Sequence, residues 1–220
     1  MKFAYFEGKI VPFEDAKISV MTHAFNYGTG VFEGIRGYWN PEKKQLYILR
    51  LEQHYQRLQN SCKILNIKLD LSVEQLCKIT KELVAKNGYQ EDVYIRPLAY
   101  KSSKVIGVKL HGLEDDLVIF LSPFGAYLDT SKGIKACVSS WTRLSDNMIP
   151  ARAKVTGAYV NSAFSKSEAM LDGYDEAIVL NRKGHVAEGS AENIFLVRDG
   201  ALITPSVNED ILEGITRNTV

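Results

Sequence analysis

The sequence is poor in cysteine, in long apolar runs and in surplus charge of either sign. Its three cysteines, Cys62, Cys77 and Cys137, are widely spaced and odd in number. That argues against a disulfide framework and for a reducing, cytoplasmic compartment. No apolar run approaches the roughly 20 residues that a membrane-spanning helix needs. Met1-Lys2-Phe3-Ala4-Tyr5 leads at once into Glu7, Gly8 and Lys9, which is not the layout of a signal peptide. Lysine and arginine total 27 against 26 aspartates and glutamates, so no basic surplus exists to neutralise a nucleic-acid backbone. Charges are scattered without a polybasic or acidic tail. Metal-ligand spacings, low-complexity segments and internal repeats are also missing, and no metal is expected. What is present is a 45% hydrophobic fraction over 220 residues, enough to bury a core for one large domain or two small ones.

Residues 3–6 and 9–13, around the turn Glu7-Gly8-Lys9, read as a hairpin. Leu46-Tyr47-Ile48-Leu49 is a short apolar run best read as a buried strand, although so short a run is compatible with a helix. Leu51, Tyr55, Leu58, Cys62 and Leu65 recur at helical spacing. Ser72-Val73-Glu74-Gln75 fits a capping box, Leu76, Ile79, Leu83 and Val84 form the stripe behind it, and Asn87-Gly88 is the stop. Residues 93–99 and 117–121 read as strands. The polar, glycine-bearing stretch 125–133 reads as a linker. Beyond it come a strand (134–140), a polar loop (142–153), a helix (158–171) and short strands at 175–180, 185–188, 193–197 and 201–204. Gly184 and Asp199-Gly200 mark tight turns. The pattern predicts an α+β small domain over 1–124, a linker over 125–134 and a mostly β larger domain over 135–220.

Four places carry candidate chemistry. Lys154 lies among apolar and small residues in Ile149-Pro150-Ala151-Arg152-Ala153-Lys154-Val155-Thr156-Gly157, with Tyr159 five positions on. A lone lysine is ordinarily solvated surface, but a buried one has a depressed pKa and can condense with an aldehyde. Glu188 and Glu192 flank Gly189-Ser190-Ala191; they are solvated loop carboxylates, a glycosidase pair, or a carboxylate for a cofactor ring nitrogen. Gly214-Ile215-Thr216-Arg217 looks like a helix entry, where backbone N–H groups and a hydroxyl can hold a phosphate. His54 and Arg57 sit three apart on one helix; an ion pair on the surface is the plain reading, a phosphate grip the functional one. Gly28-Thr29-Gly30 lacks the lysine of a phosphate loop and reads as a turn.

The order of these signals resembles the fold-type IV enzymes that use pyridoxal phosphate (PLP), and within them the branched-chain amino-acid aminotransferases. The resemblance runs over nearly the whole chain. It is carried by Phe32-Glu33-Gly34-Ile35-Arg36, by Arg50-Leu51 with His54 and Arg57-Leu58, and by Tyr94-Ile95-Arg96-Pro97. Gly125-Ala126-Tyr127-Leu128, Lys154–Tyr159, Glu188-Gly189 with Glu192-Asn193, and Gly214-Ile215-Thr216-Arg217 continue it. It implies PLP as cofactor, bound covalently to Lys154. Tyr159 would meet the cofactor's phenolic oxygen and Glu188 its pyridine nitrogen. Arg57, Ile215 and Thr216 would hold the phosphate. Tyr94 would take the substrate α-carboxylate and Arg96 the distal carboxylate of glutamate. Phe32, Tyr27, Tyr127 and Tyr159 would line the side-chain pocket, with Arg36 in the same motif as Phe32. Tyr27 and Val108 would reach a neighbouring subunit's site, so a homodimer is implied.

The expected reaction exchanges the amino group of leucine, isoleucine or valine with 2-oxoglutarate. Within the same family, a D-amino-acid aminotransferase or an aminodeoxychorismate lyase is the alternative. A glycoside hydrolase using Glu188 and Glu192, or a binding domain that keeps the fold without PLP, is the alternative of another class. Relatives continue past Val220, so the resemblance also predicts an incomplete larger domain that binds PLP poorly on its own.

Overall fold

The computed structural model describes residues 1–125 and 132–220. The chain divides into two compact units, Met1–Tyr127 with Ala153–Gly157, and Leu128–Arg152 with Ala158–Val220.

The first unit is built on an antiparallel sheet. β1 (Phe3–Phe6) and β2 (Lys9–Pro12) form the expected hairpin. Glu7 and Gly8 both take positive φ, 48° and 79°, as a two-residue turn matched to strand twist requires. Then follow α1 (His23–Tyr27), β3 (Gly30–Phe32), β4 (Ile35–Asn40), β5 (Gln45–Ile48), α2 (Leu51–Ile64), α3 (Val73–Asn87), β6 (Val93–Lys101) and β7 (Asp115–Pro123). The strand order is β2-β1-β7-β6-β4-β5, with β3 also paired to β6. The capping box of α3 is present: the Gln75 N–H donates to Ser72 Oγ at 3.1 Å and the Ser72 N–H to Gln75 Oε1 at 2.7 Å. Gly88 closes the helix in the left-handed conformation. Ile35 and Ile95 of the sheet, Tyr55 and Leu58 of α2, and Leu76 and Leu83 of α3 are fully buried. Each aliphatic side chain so buried contributes roughly 1.5–3 kcal/mol, which is what holds helices of this length on a sheet.

An interruption between β3 and β4 shapes the site. Phe32 pairs with Leu98 and Ile35 with Ile95, so Glu33-Gly34 lies opposite Arg96-Pro97 without regular pairing. The Glu33 N–H donates to the Pro97 carbonyl at 2.9 Å. Pro97 has no N–H to return, and an interrupted ladder is where a sheet tolerates proline.

In the second unit, β8 (Ala136–Thr142), α4 (Tyr159–Leu171) and β9 (Glu176–Leu180) form a parallel β-α-β arrangement, and β10 (Val186–Gly189) adds antiparallel to β9. Ala169 of α4 packs on Ala177, Val179 and Cys137, small enough to bring helix and sheet close. β11 (Leu196–Arg198) and β12 (Ala201–Ile203) form a hairpin turned by Asp199 and Gly200, both at positive φ. The strand expected over 193–197 runs over Leu196–Arg198 instead. α5 (Ile215–Thr219) follows Gly214 as N-cap. The architecture is α+β, as expected. Among the described residues, no helix is long and apolar enough to cross a membrane.

Candidate active site

In the first unit, main-chain contacts fix Lys154. Its N–H donates to Ser61 Oγ of α2 at 3.2 Å, and its carbonyl accepts from the Phe32 N–H at 3.0 Å. Val155 bridges to Val31. The Thr156 hydroxyl donates to the Gly28 carbonyl at 2.7 Å and accepts from the Gly30 N–H at 3.2 Å. Gly28 and Gly157 come so close that a Cβ on Gly28 would stand 2.8 Å from the Gly157 Cα. The turn Gly28-Thr29-Gly30 is thus a clamp on the lysine segment, not a phosphate loop. The result is a half-buried lysine whose Nζ lies 5.1 Å from the centre of the Phe32 ring.

Arg96, from β6, lies over the same ring at 4.2 Å and donates to Tyr94 Oη through Nη2 at 2.8 Å and Nε at 3.2 Å. Gly34 permits this, since any Cβ there would collide with the Tyr94 hydroxyl. Arg36 donates to the Gly125 carbonyl at 3.0 Å, stacks over Phe124 at 4.9 Å and lies 3.8 Å from Asp92. Phe32, Tyr94, Arg96 and Lys154 are therefore gathered around one aromatic wall, with Arg36 at its margin.

Arg57 is not a surface group. Its Nε and Nη2 donate to the two oxygens of Glu33, each at 2.7 Å, and His54 Nδ1 lies 2.7 Å from the same carboxylate. Glu33 is fully buried. Burial pushes its carboxyl up, but the hydrogen bonds and charges of Arg57 and His54 outweigh that and hold it below the usual carboxylate range. Elsewhere in this unit Tyr27 Oη accepts from the Gly107 N–H at 3.1 Å, and the buried His23 donates through Nε2 to the Gly107 carbonyl at 2.8 Å. Those bonds pin the loop that carries Val108, itself 88% exposed. Tyr127 lies outside the described residues.

In the second unit, Glu188 on β10 is buried. Its Oε1 accepts from Arg143 Nη2 at 2.8 Å; its Oε2 takes the Asn193 amide and the Leu212 N–H, each at 3.2 Å. Asn193 also donates to the Leu212 carbonyl at 2.9 Å and fills the space beside Gly214. Glu188 is thereby tied to the turn that leads into Ile215 and Thr216, the half-buried and exposed first residues of α5. Tyr159 opens α4 and is half-buried. Sequence alone gives no role to Glu33, Arg143 or Asn193. Only Glu33 and Asn193 stand in motifs that carry the resemblance; Arg143 sits in a polar loop without a signal.

Glu192 does not face Glu188 across a cleft. Burial and a hydrogen bond to the Glu176 carboxylate push the Glu192 carboxyl up to about 7, while Lys166, 2.7 Å from Glu176, keeps that partner ionised. This is a shared-proton pair bracing the loop that presents Asn193, and it gives the glycosidase alternative no geometry. Because the folded state holds the Glu192 proton more tightly than the unfolded chain does, this group's stabilising contribution is lost as pH rises from about 4.5 to about 7. Glu192→Gln keeps a donor toward Glu176 at every pH. Its melting temperature relative to wild type is expected to rise between pH 5 and pH 8. Parallel melting curves for the two proteins across that range would contradict the pairing.

Each unit carries groups that suit PLP. In the first, a half-buried amine can take an aldehyde and a guanidinium a phosphate; in the second, a hydroxyl and helix-entry N–H groups can take a phosphate. The Glu188 carboxylate is a buried anion held in place by Arg143, Asn193 and the Leu212 N–H, and a carboxylate with about four acceptor positions can also take a ring N–H.

The comparisons agree with this chemistry. The amino-transferase class IV family pattern matches residues 30–220. A probable branched-chain-amino-acid aminotransferase of Aquifex aeolicus is 59% identical over 220 residues, covering 100% of this chain and 71% of that protein. The branched-chain aminotransferase of Thermoproteus uzoniensis, solved with norvaline, superposes with a TM-score of 0.95 at 47% identity, over 99% of this chain and 72% of that one. The branched-chain amino acid aminotransferase of Thermobaculum terrenum, solved in its PLP form, gives 0.92 at 40% identity over 99% and 71%. The chain belongs to the class IV aminotransferases, and within them to the branched-chain-amino-acid aminotransferase family.

Proposed function

We propose that this chain is the PLP-dependent aminotransferase that exchanges amino groups between leucine, isoleucine or valine and 2-oxoglutarate. The observation that carries the reading is the Phe32 wall, with an amine and a guanidinium over one aromatic ring. An α-amino acid with an apolar side chain needs such a surface beside a proton-moving amine. A dicarboxylate needs in addition a cation at a distance. Arg96 supplies it and stays partnered by Tyr94 Oη and by the ring face when an apolar substrate is bound.

The bound cofactor supplies an electron sink for the charge left at the substrate α-carbon. The chain does the rest. Lys154 would hold the cofactor until the incoming amino group takes its place, and the freed Nζ would then take the proton from the substrate α-carbon and return one as the amino group changes owner. Glu188, fixed by Arg143, keeps the ring nitrogen protonated. Tyr159 donates to the phenolic oxygen, and Arg57 with Ile215 and Thr216 holds the phosphate. Tyr94 positions the α-carboxylate, and Arg36, Tyr127, Tyr27 and Val108 complete the substrate surroundings. The exposed Val20, Met21, Phe25, Ile106 and Val108 support a homodimer through the α1 side of the first unit. The three free cysteines support a cytoplasmic setting.

The test is the visible spectrum of protein loaded with PLP, before and after leucine, followed by product analysis with 2-oxoglutarate. A leucine-dependent spectral change and L-glutamate formation are expected. Arg96→Ala is expected to weaken glutamate and 2-oxoglutarate about tenfold or more, the scale of a lost hydrogen bond to a charged group, and leucine much less. Equal losses for both substrates would remove Arg96 from the recognition of the distal carboxylate. Activity confined to D-amino acids would replace the proposed reaction.

A further inference from the structure

We propose that Glu33 is a positioning residue for the cofactor's phosphate: it fixes the plane of the Arg57 guanidinium. The inference rests on the reading that Arg57 grips the phosphate. The carboxylate meets the guanidinium side-on, through Nε and Nη2 at 2.7 Å each, and this two-point pairing fixes both the position and the plane of the fork. The opposite edge of the guanidinium is thereby turned away from Glu33.

The clamp is itself held. Glu33 is fully buried, and its backbone N–H is bonded to the Pro97 carbonyl in the interruption between β3 and β4. Regular pairing there would alternate the side chains across the sheet. Yet Val31 and Phe32 of β3 and Glu33 just after it are all buried, so both faces of the chain are covered here. His54, one turn before Arg57 on α2, takes the second side of Oε2 at 2.7 Å and fixes the carboxylate in turn. The same short segment thus places Phe32 against Lys154 and Glu33 against Arg57, so the wall beside the reacting amine and the anion grip are set by adjacent residues.

Charge alone predicts the opposite of this proposal. Glu33 is an anion near a site for an anion, and removing it would strengthen phosphate binding if only net charge mattered. Positioning predicts weaker binding, because an arginine without its clamp must lose rotamer freedom when the phosphate arrives. The experiment titrates apoprotein with PLP and, separately, with pyridoxal, which lacks the phosphate. Visible absorbance gives the ratio of the two dissociation constants. Glu33→Gln is expected to reduce the preference for PLP about tenfold while leaving pyridoxal affinity unchanged, the scale of one charge-assisted hydrogen bond. An unchanged or increased preference would overturn the proposal, and a loss that strikes both ligands equally would mark Glu33 as merely structural.

Arg57→Lys keeps the charge but has no fork for Glu33 to orient, and it serves where Glu33→Gln does not fold. It too is expected to lose most of the preference, and full retention of preference by the lysine variant would overturn the clamp. Arg57→Ala separates the two layers of the argument. If it leaves the preference intact, Arg57 does not hold the phosphate, and the underlying assignment fails independently of Glu33.

Discussion

Lys154→Ala is expected to lower transamination by at least two to four decades, the span that a positioned general base contributes, with a further loss because the cofactor is no longer held covalently. The fold is expected to survive. The main-chain bonds of residue 154, its N–H to Ser61 and its carbonyl from Phe32, remain with alanine. A typical single substitution costs about 1 kcal/mol. The variant should therefore melt near wild type and retain weak, reversible PLP binding. Borohydride treatment of the loaded wild type should place the cofactor covalently on the peptide containing Lys154. An adduct mapped to another lysine would end the assignment, as would a variant that turns over leucine at the normal rate.

The path from sequence to this lysine shows what a linear reading can reach. The helices α2 and α3 are legible because their apolar residues keep helical spacing and Ser72 and Gln75 form a local cap. The β1–β2 hairpin is legible because its turn needs Glu7-Gly8 at positive φ. By contrast α1, β3 and β4 are short, with Gly28, Gly30, Gly34 and Gly37 in or between them, and nothing periodic marks them. Lys154 stands out through its small and apolar neighbours, but the anchors of its segment are remote: Ser61 lies 93 residues from Lys154, and Gly28 lies 128 residues from Thr156. Glu33 shows the same limit more sharply. A lone glutamate carries no sign of burial in the sequence, and His54 with Arg57 reads as a surface pair. Only when the helix lies against the interrupted strand does one buried cluster form from the two. Arg143 is invisible for a related reason: an arginine in a polar loop acquires meaning only from the buried Glu188 opposite it.

Glu188→Gln is expected to have two separable effects. The first is on chemistry. A neutral amide cannot balance a protonated ring nitrogen, so removal of the substrate α-proton loses a preorganised charge, a loss of roughly two to three decades in kcat. The second is on stability and follows from Arg143. That guanidinium is nearly buried and pairs with Glu188 Oε1 at 2.8 Å, so the amide leaves a buried cation without its counter-charge. Removing one partner of such a pair costs about 3–5 kcal/mol, far more than an exposed pair would. Asn193 and the Leu212 N–H still find an oxygen on glutamine, so the turn before α5 is expected to keep its place and the phosphate grip to persist. The measurements are the melting temperature and, well below it, kcat per cofactor-loaded site with the absorption spectrum. A lower melting temperature with a normal rate and spectrum would reduce Glu188 to a structural partner of Arg143. A normal melting temperature with a slow α-proton step would instead show that Arg143 finds other compensation, and would leave the electronic role standing alone.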